Sequence, residues 1–249
     1  MLSVPGPLVE TAWVAEHLED PSLRVYDCTV FRDSDQAPDE HPMRFVSGKT
    51  QWLQGHIQGS GFIDLVDELT VKGERRHMFP VPPPERFDEV MSAYGVGNGA
   101  CVVLYDTTGQ SWAARVWWLL RGHGFDNAAV INGGWGRWVE EGRPVSLEET
   151  GYPRAEFIST VRTEMTATAE EVRASIDQGG TCLVNVLSRE DFEGDAPPRY
   201  GRRGSIPSSV HVPVTSLFEK EGGVYIPLGR IKDRFESAGV IEGKRVITY

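Results

Sequence analysis

The chain contains the same pattern twice, and a sequence that repeats itself at the scale of a domain folds as two similar units. Arg86-Phe87-Asp88-Glu89-Val90-Met91-Ser92-Ala93-Tyr94-Gly95-Val96, followed by Cys101-Val102-Val103-Leu104-Tyr105, has the layout of Lys232-Asp233-Arg234-Phe235-Glu236-Ser237-Ala238-Gly239-Val240 followed by Arg245-Val246-Ile247-Thr248-Tyr249. Gly95 faces Gly239, Gly99 faces Gly243 and Tyr105 faces Tyr249 with no gap among them. Upstream, Arg24-Val25-Tyr26-Asp27, Gly55-His56-Ile57-Gln58-Gly59 and Phe62-Ile63-Asp64 have counterparts in Leu183-Val184-Asn185, Gly204-Ser205-Ile206-Pro207-Ser208 and Val210-His211-Val212-Pro213. At 249 residues, each half is large enough to bury its own core.

Within each half the periodicity alternates between strand and helix. Val102 to Tyr105 and Val246 to Tyr249 are short apolar runs suited to strands covered on both faces of a parallel sheet. Ala113, Val116, Trp117 and Leu120 recur at helical spacing, as do Val172 and Ile176, where Thr168 and Glu171 form a capping box. The expected class is α/β twice over, each domain a parallel sheet flanked by helices. Pro144 to Glu164 is polar and irregular, so the predicted boundaries are a first domain at 1–146, a linker at 147–164 and a second domain at 165–249.

Charge and cysteine usage narrow the function. The net charge of −11 argues against nucleic acid or an anionic membrane as partner. No basic and apolar leader opens the chain and no long apolar run follows, so a soluble, cytoplasmic protein is expected. Cys28, Cys101 and Cys182 lack metal-ligand spacing, which predicts reduced, structural thiols and no zinc.

These residues resemble the rhodanese family, specifically the two-domain thiosulfate and 3-mercaptopyruvate sulfurtransferases. The likeness rests on Val25-Tyr26-Asp27, on Gly55-His56-Ile57-Gln58-Gly59, on Gly95-Val96 before the strand ending at Asp106, and on Val130-Ile131-Asn132-Gly133-Gly134-Trp135 with Trp138. The resemblance implies two tandem rhodanese-like domains and a sulfane sulfur moved from a small anionic donor to a thiol or cyanide acceptor through a cysteine persulfide. It implies no organic cofactor and no metal. Such a cysteine opens a loop at a helix N-terminus, where backbone N–H groups favour the thiolate.

The resemblance implies an inert first domain, because Asp106 stands at the nucleophile position and a carboxylate cannot form a persulfide. In the second domain the nucleophile is expected immediately after Tyr249, outside these 249 residues, so the second repeat is expected to be incomplete here, lacking its active-site loop and roughly 35 to 40 residues of helix and strand. Arg189 and Arg202, beside Arg203 in the loop Arg199–Gly204, are the candidate donor-binding cations; Asn185 and Asp191 depart from the family pattern of Asp and Arg. His56 and His211 are expected to hold turns rather than act as bases, and Arg115 is either an interface or a surface arginine. The alternative reading is a non-catalytic rhodanese-like binding or regulatory module.

Overall fold

The computed structural model of the chain describes residues 2–33, 44–71, 79–178, 180–196, 202–219 and 223–249. His41, His77 and residues 199–201 of the arginine-rich loop lie outside them. The chain divides into two compact units, Met1–Thr163 and Glu164–Tyr249.

The first unit runs β1 (Leu8–Val9), α1 (Thr11–His17), β2 (Leu23–Asp27), β3 (Val30–Asp33), β4 (Arg44–Ser47), α2 (Lys49–Trp52), β5 (His56–Ile57), β6 (Gly61–Phe62), α3 (Pro84–Ala93), β7 (Cys101–Tyr105), α4 (Ser111–Gly122), β8 (Ala128–Ile131), α5 (Gly134–Glu140) and β9 (Val145–Ser146). Its main sheet has the order β1-β8-β7-β2-β6 and is parallel throughout. Successive side chains of a strand point to opposite faces, and here both faces are covered. Val102 and Leu104 of β7 pack with Phe87, Met91, Val116 and Leu120 of α3 and α4, while Cys101, Val103 and Tyr105 pack with Val14 of α1 and Trp138 of α5. That two-sided burial is why β7 reads as an unbroken apolar run.

The second unit runs α6 (Ala169–Gln178), β10 (Thr181–Asn185), α7 (Arg189–Glu193), β11 (Val210–His211), α8 (Leu228–Ser237) and β12 (Arg245–Thr248). Its parallel sheet has the order β11-β10-β12, which repeats β6-β2-β7 of the first unit. The capping box at α6 is formed in both directions, Thr168 N–H to Glu171 Oε2 at 2.7 Å and Glu171 N–H to Thr168 Oγ1 at 3.2 Å. Among the described residues no strand borders the far edge of β12, and Val246 is 42% exposed where its counterpart Val102 is fully buried.

The polar stretch expected as a linker is packed along the first unit almost to its end. Tyr152 Oη accepts the Val25 N–H at 2.9 Å and donates to Gly59 O at 2.9 Å; Arg154 pairs with Glu89, Phe157 joins the core at 5% exposure, and Arg162 pairs with Asp126. Gly95, at φ +78°, lets this strap lie against the end of α3, since a Cβ there would sit 2.6 Å from Pro153 O. The strap has no periodicity because side chains and scattered backbone bonds, such as Ala155 N–H to Ser92 O and Thr160 N–H to His123 O, hold it in place of a regular ladder. Replacing Tyr152 by Phe leaves the Val25 N–H unpaired and is expected to lower the stability of the intact protein by about 1–3 kcal/mol in chemical denaturation; an unchanged midpoint and slope would contradict a strap that is part of the fold.

Candidate functional site

In both units the tyrosine at the end of the matching strand, β7 or β12, holds the glycine-rich turn by its hydroxyl. Tyr105 Oη accepts the Ile57 N–H at 3.2 Å and bonds Ser60 Oγ at 3.0 Å. Tyr249 Oη accepts the Ile206 N–H at 2.8 Å and bonds Ser209 Oγ at 2.6 Å. The surrounding ladder repeats as well: Cys28 N–H donates to Tyr105 O as Val186 N–H donates to Tyr249 O, and Ile63 N–H donates to Asp27 O as Val212 N–H donates to Asp27's counterpart, Asn185 O. The carbonyl ends of β7 and β12 are therefore held by the same contacts.

In the first unit the next residue is Asp106, 2% exposed, and its carboxylate sits in a cradle of backbone N–H groups at the start of α4. Oδ1 accepts from Thr108 N and Gln110 N, each at 2.8 Å, and Oδ2 accepts from Trp112 N and Ala113 N, each at 3.0 Å. The unpaired donors of a helix N-terminus and the positive end of its dipole suit an anion here. The loop needs a left-handed residue, supplied by Gln110 at φ +68°. The Gly133-Gly134 pair explains itself at the same place: Trp135 N–H donates to Asp106 O at 3.3 Å, and a Cβ on Gly134 would lie 2.6 Å from that oxygen.

A second buried carboxyl, Asp27, ends the adjacent strand and accepts the Thr29 N–H at 2.7 Å. Burial, with the Asp106 charge adding to it, pushes Asp27 up to about 7. Asn185 makes the corresponding bond to Leu187 N–H at 3.0 Å without a charge.

The candidate bases and thiols are occupied by structure. His56 is fully buried, stacked on Trp52, with its ring nitrogens 2.8 Å from Trp52 O and 3.0 Å from Glu148 O. His211 stacks on Phe192 and donates from Nε2 to Leu187 O at 2.9 Å. Burial holds the Cys28 thiol well above its usual range and raises Cys101 to about 11, the reverse of an activated nucleophile. Arg115 is partly buried within the first unit: its Nη2 donates to Phe79 O at 2.7 Å and its guanidinium lies over the Trp118 ring.

Of the two candidate donor-binding cations, Arg189 begins α7, is 73% exposed at its side chain and pairs with Glu193 at 2.9 Å. Arg202 is exposed in the loop before the second glycine-rich turn. Ser188 caps α7, its Oγ accepting the Asp191 N–H at 3.2 Å and donating to Asp191 Oδ2 at 2.9 Å, a use for an acid where the family pattern has a base. Among the described residues no His, Cys, Asp and Glu cluster could hold a metal ion, and no helix is long and apolar enough to cross a membrane. The tyrosine clamp and the fourfold cradle of Asp106 were not foreseen; the signal for the first was Tyr105 facing Tyr249, a match that alone did not say what the hydroxyls hold.

Two stability measurements check this geometry. Removing the Asp106 carboxylate as Asp106→Ala strands four backbone donors, two of them in fully buried bonds, and is expected to cost about 2–4 kcal/mol, whereas Asp106→Asn, which keeps an acceptor, costs less. For Asp27, whose native value of about 7 lies above the ordinary 3.8, the folded state holds a proton that the unfolded chain releases between those values. Its contribution is thus fully present below about pH 4 and lost as pH rises toward 7, by up to about 1.4 kcal/mol per pH unit. Asp27→Asn is expected to flatten that slope; an unchanged slope would contradict the burial of an uncompensated carboxyl.

Known proteins place this arrangement. The chain is 28% identical over 256 residues to the sulfur carrier protein TtuD of Thermus thermophilus, covering 98% of this chain and 82% of that protein. It is 29% identical over 211 residues to the putative thiosulfate sulfurtransferase SseB of Mycobacterium tuberculosis, covering 81% and 72%. The crystal structure of SseA from Escherichia coli matches with a TM-score of 0.78 at 24% identity, covering 97% of this chain and 87% of that one, a likeness that bears on the fold: tandem domains of parallel sheet between helices. The family model of the rhodanese-like domain matches residues 10–141, the first unit from the end of β1 to the end of α5 and more than half of the chain, and the chain belongs to that family.

Proposed function

We propose that the protein is a sulfurtransferase in which a cysteine immediately after Tyr249 carries the sulfur and the first unit is catalytically inert. The observation that supports this most is the matched clamp: Tyr249 and Tyr105 hold their turns by the same pair of bonds, and the position after Tyr105 is a cradle of N–H groups filled by a carboxylate. A cradle of that kind on the second repeat would hold a thiolate, lower its pKa and leave it open to a donor. The names of its relatives, a sulfur carrier protein and a putative thiosulfate sulfurtransferase, agree with sulfur transfer in general.

The chemistry follows from the thiolate. It attacks the outer sulfur of thiosulfate, the sulfur–sulfur bond breaks, and sulfite leaves with the electron pair; with 3-mercaptopyruvate the carbon–sulfur bond breaks and pyruvate leaves as its enolate. Cyanide or a thiolate then attacks the terminal sulfur of the persulfide, and the cysteine thiolate is the leaving group. Arg189 and Arg202 are proposed to bring the anionic donor to this loop; for Arg189 the pair with Glu193 has to open first. The localisation proposed is the cytoplasm, and the partners are the donor and acceptor alone.

Intact protein given cyanide is expected to form thiocyanate from thiosulfate or 3-mercaptopyruvate, and alkylation of the residue after Tyr249 is expected to bring the rate to background. Formation from neither donor, with that cysteine present and reduced, would overturn the enzyme reading and leave a non-catalytic binding module. Arg189→Gln and Arg202→Gln are each expected to raise the donor KM by about 3- to 30-fold with kcat less changed, as loss of a charge-assisted contact requires.

A further inference from the structure

The two repeats also differ on the outer helix, away from the strand ends. The match of Gly95 with Gly239 extends without a gap back through α3 and α8, so Arg86 faces Arg230, Val90 faces Arg234, Ala93 faces Ser237 and Tyr94 faces Ala238. The sheet register pairs Phe62 with Asp27 and His211 with Asn185, so Asp64 faces Pro213 and Asp67 faces Ser216.

In the first unit this face is closed. Val90 is 4% exposed, and the Tyr94 hydroxyl accepts the Asp64 N–H at 3.0 Å while donating to Glu68. In the second unit Ala238 supplies no ring and Pro213 no N–H, and what remains is an open groove of about 500 Å³ between α8 and the segment after β11. Its polar lining includes Ser216, Arg230, Asp233, Arg234 and Ser237. Acids at two of these positions have been exchanged for a proline and a hydroxyl, and a valine for an arginine.

Arg230 and Arg234 stand four residues apart, one above the other on α8, where like charges repel. Both are exposed, and among the described residues neither makes an ion pair; the carboxylate of Glu236 is taken by Lys232 instead. Asp233 is the acid of the lining, so the groove is locally cationic on a chain of net charge −11. Guanidinium groups accept planar and tetrahedral oxyanions by paired hydrogen bonds, and flanking hydroxyls add donors.

We propose that this groove is a binding site for a small oxyanion-bearing ligand, a free carboxylate, sulfate or phosphate compound held by Arg230 and Arg234 with the Ser216 and Ser237 hydroxyls. The anion relieves the repulsion between the two arginines and occupies the space that Tyr94 fills in the first repeat. The site is independent of the sulfur-transfer reading, since none of these residues belongs to the proposed nucleophile loop or donor contacts.

The test is calorimetric titration of intact protein with sulfate, phosphate and succinate at low ionic strength, with thiocyanate formation followed separately. Binding of at least one of the three is expected. The double variant Arg230→Gln, Arg234→Gln should weaken it about tenfold or more, and Arg230→Lys, Arg234→Lys, which keeps the charge but not the fork, by less. Added salt should weaken binding to the native protein. No binding of any of the three, equal binding by the double Gln variant, or binding confined to an acidic polypeptide such as polyglutamate would each overturn the proposal, whatever the thiocyanate assay gives.

Discussion

The hydroxyl of the tyrosine at the end of one strand, fully buried at Tyr105 and half-buried at Tyr249, is the contact on which the rest of each repeat is arranged. Tyr105 ties the end of β7 to the turn at Ile57 and Ser60, and Tyr249 ties the end of β12 to the turn at Ile206 and Ser209. The turn in each case feeds the strand beside β2 or β10, so one side chain locks three neighbouring segments at the end of the sheet where the loops emerge. Open parallel sheets bind their ligands at that end. An unsatisfied turn N–H in that position would cost as much as the hydrogen bond itself supplies, which makes the tyrosine hard to replace.

Downstream of the same clamp the repeats diverge in charge. The first places two buried carboxyls side by side and resolves the conflict unequally. Asp106 receives four backbone N–H groups, whereas Asp27 is driven up to about 7 because its burial outweighs the hydrogen bonds from Thr29 and Tyr105. The second replaces Asp27 by Asn185, keeping the hydrogen bond and losing the charge. A neutral neighbour suits a loop whose own group is an anion, because a second carboxylate there would raise the pKa of a thiol beside it. The two repeats thus differ in charge at this end: the first has a cradle filled by a carboxylate beside a second acid, and the second has a neutral amide in place of that acid.

Much of this fold was legible from residue spacing. The strands read at Arg24–Asp27, Cys101–Tyr105 and Leu183–Asn185, the capping box at Thr168 and Glu171, and the ungapped match of Gly95 with Gly239 are local patterns: the strands show as apolar runs because a parallel sheet is covered on two faces, and the box because a helix end needs its N–H groups paired. The strap at 147–163 was not legible as part of the first unit, because Tyr152, Arg154 and Arg162 reach partners far away in the chain and leave no period behind. The partner of Arg115, the carbonyl of Phe79, was not legible for the same reason. The groove beside α8 needed both repeats in three dimensions, since Ala238 is informative only where Tyr94 shows what it lacks.

The central claim, that the residue held in place by the Tyr249 clamp is the sulfur carrier, is tested most directly by locating the sulfur. Intact protein treated with thiosulfate in the absence of acceptor, digested and analysed by peptide mass, should carry one added sulfur on the peptide that spans Tyr249 and the residue after it, and cyanide should remove it. Added sulfur on Cys28, Cys101 or Cys182, or on no peptide, would contradict the account.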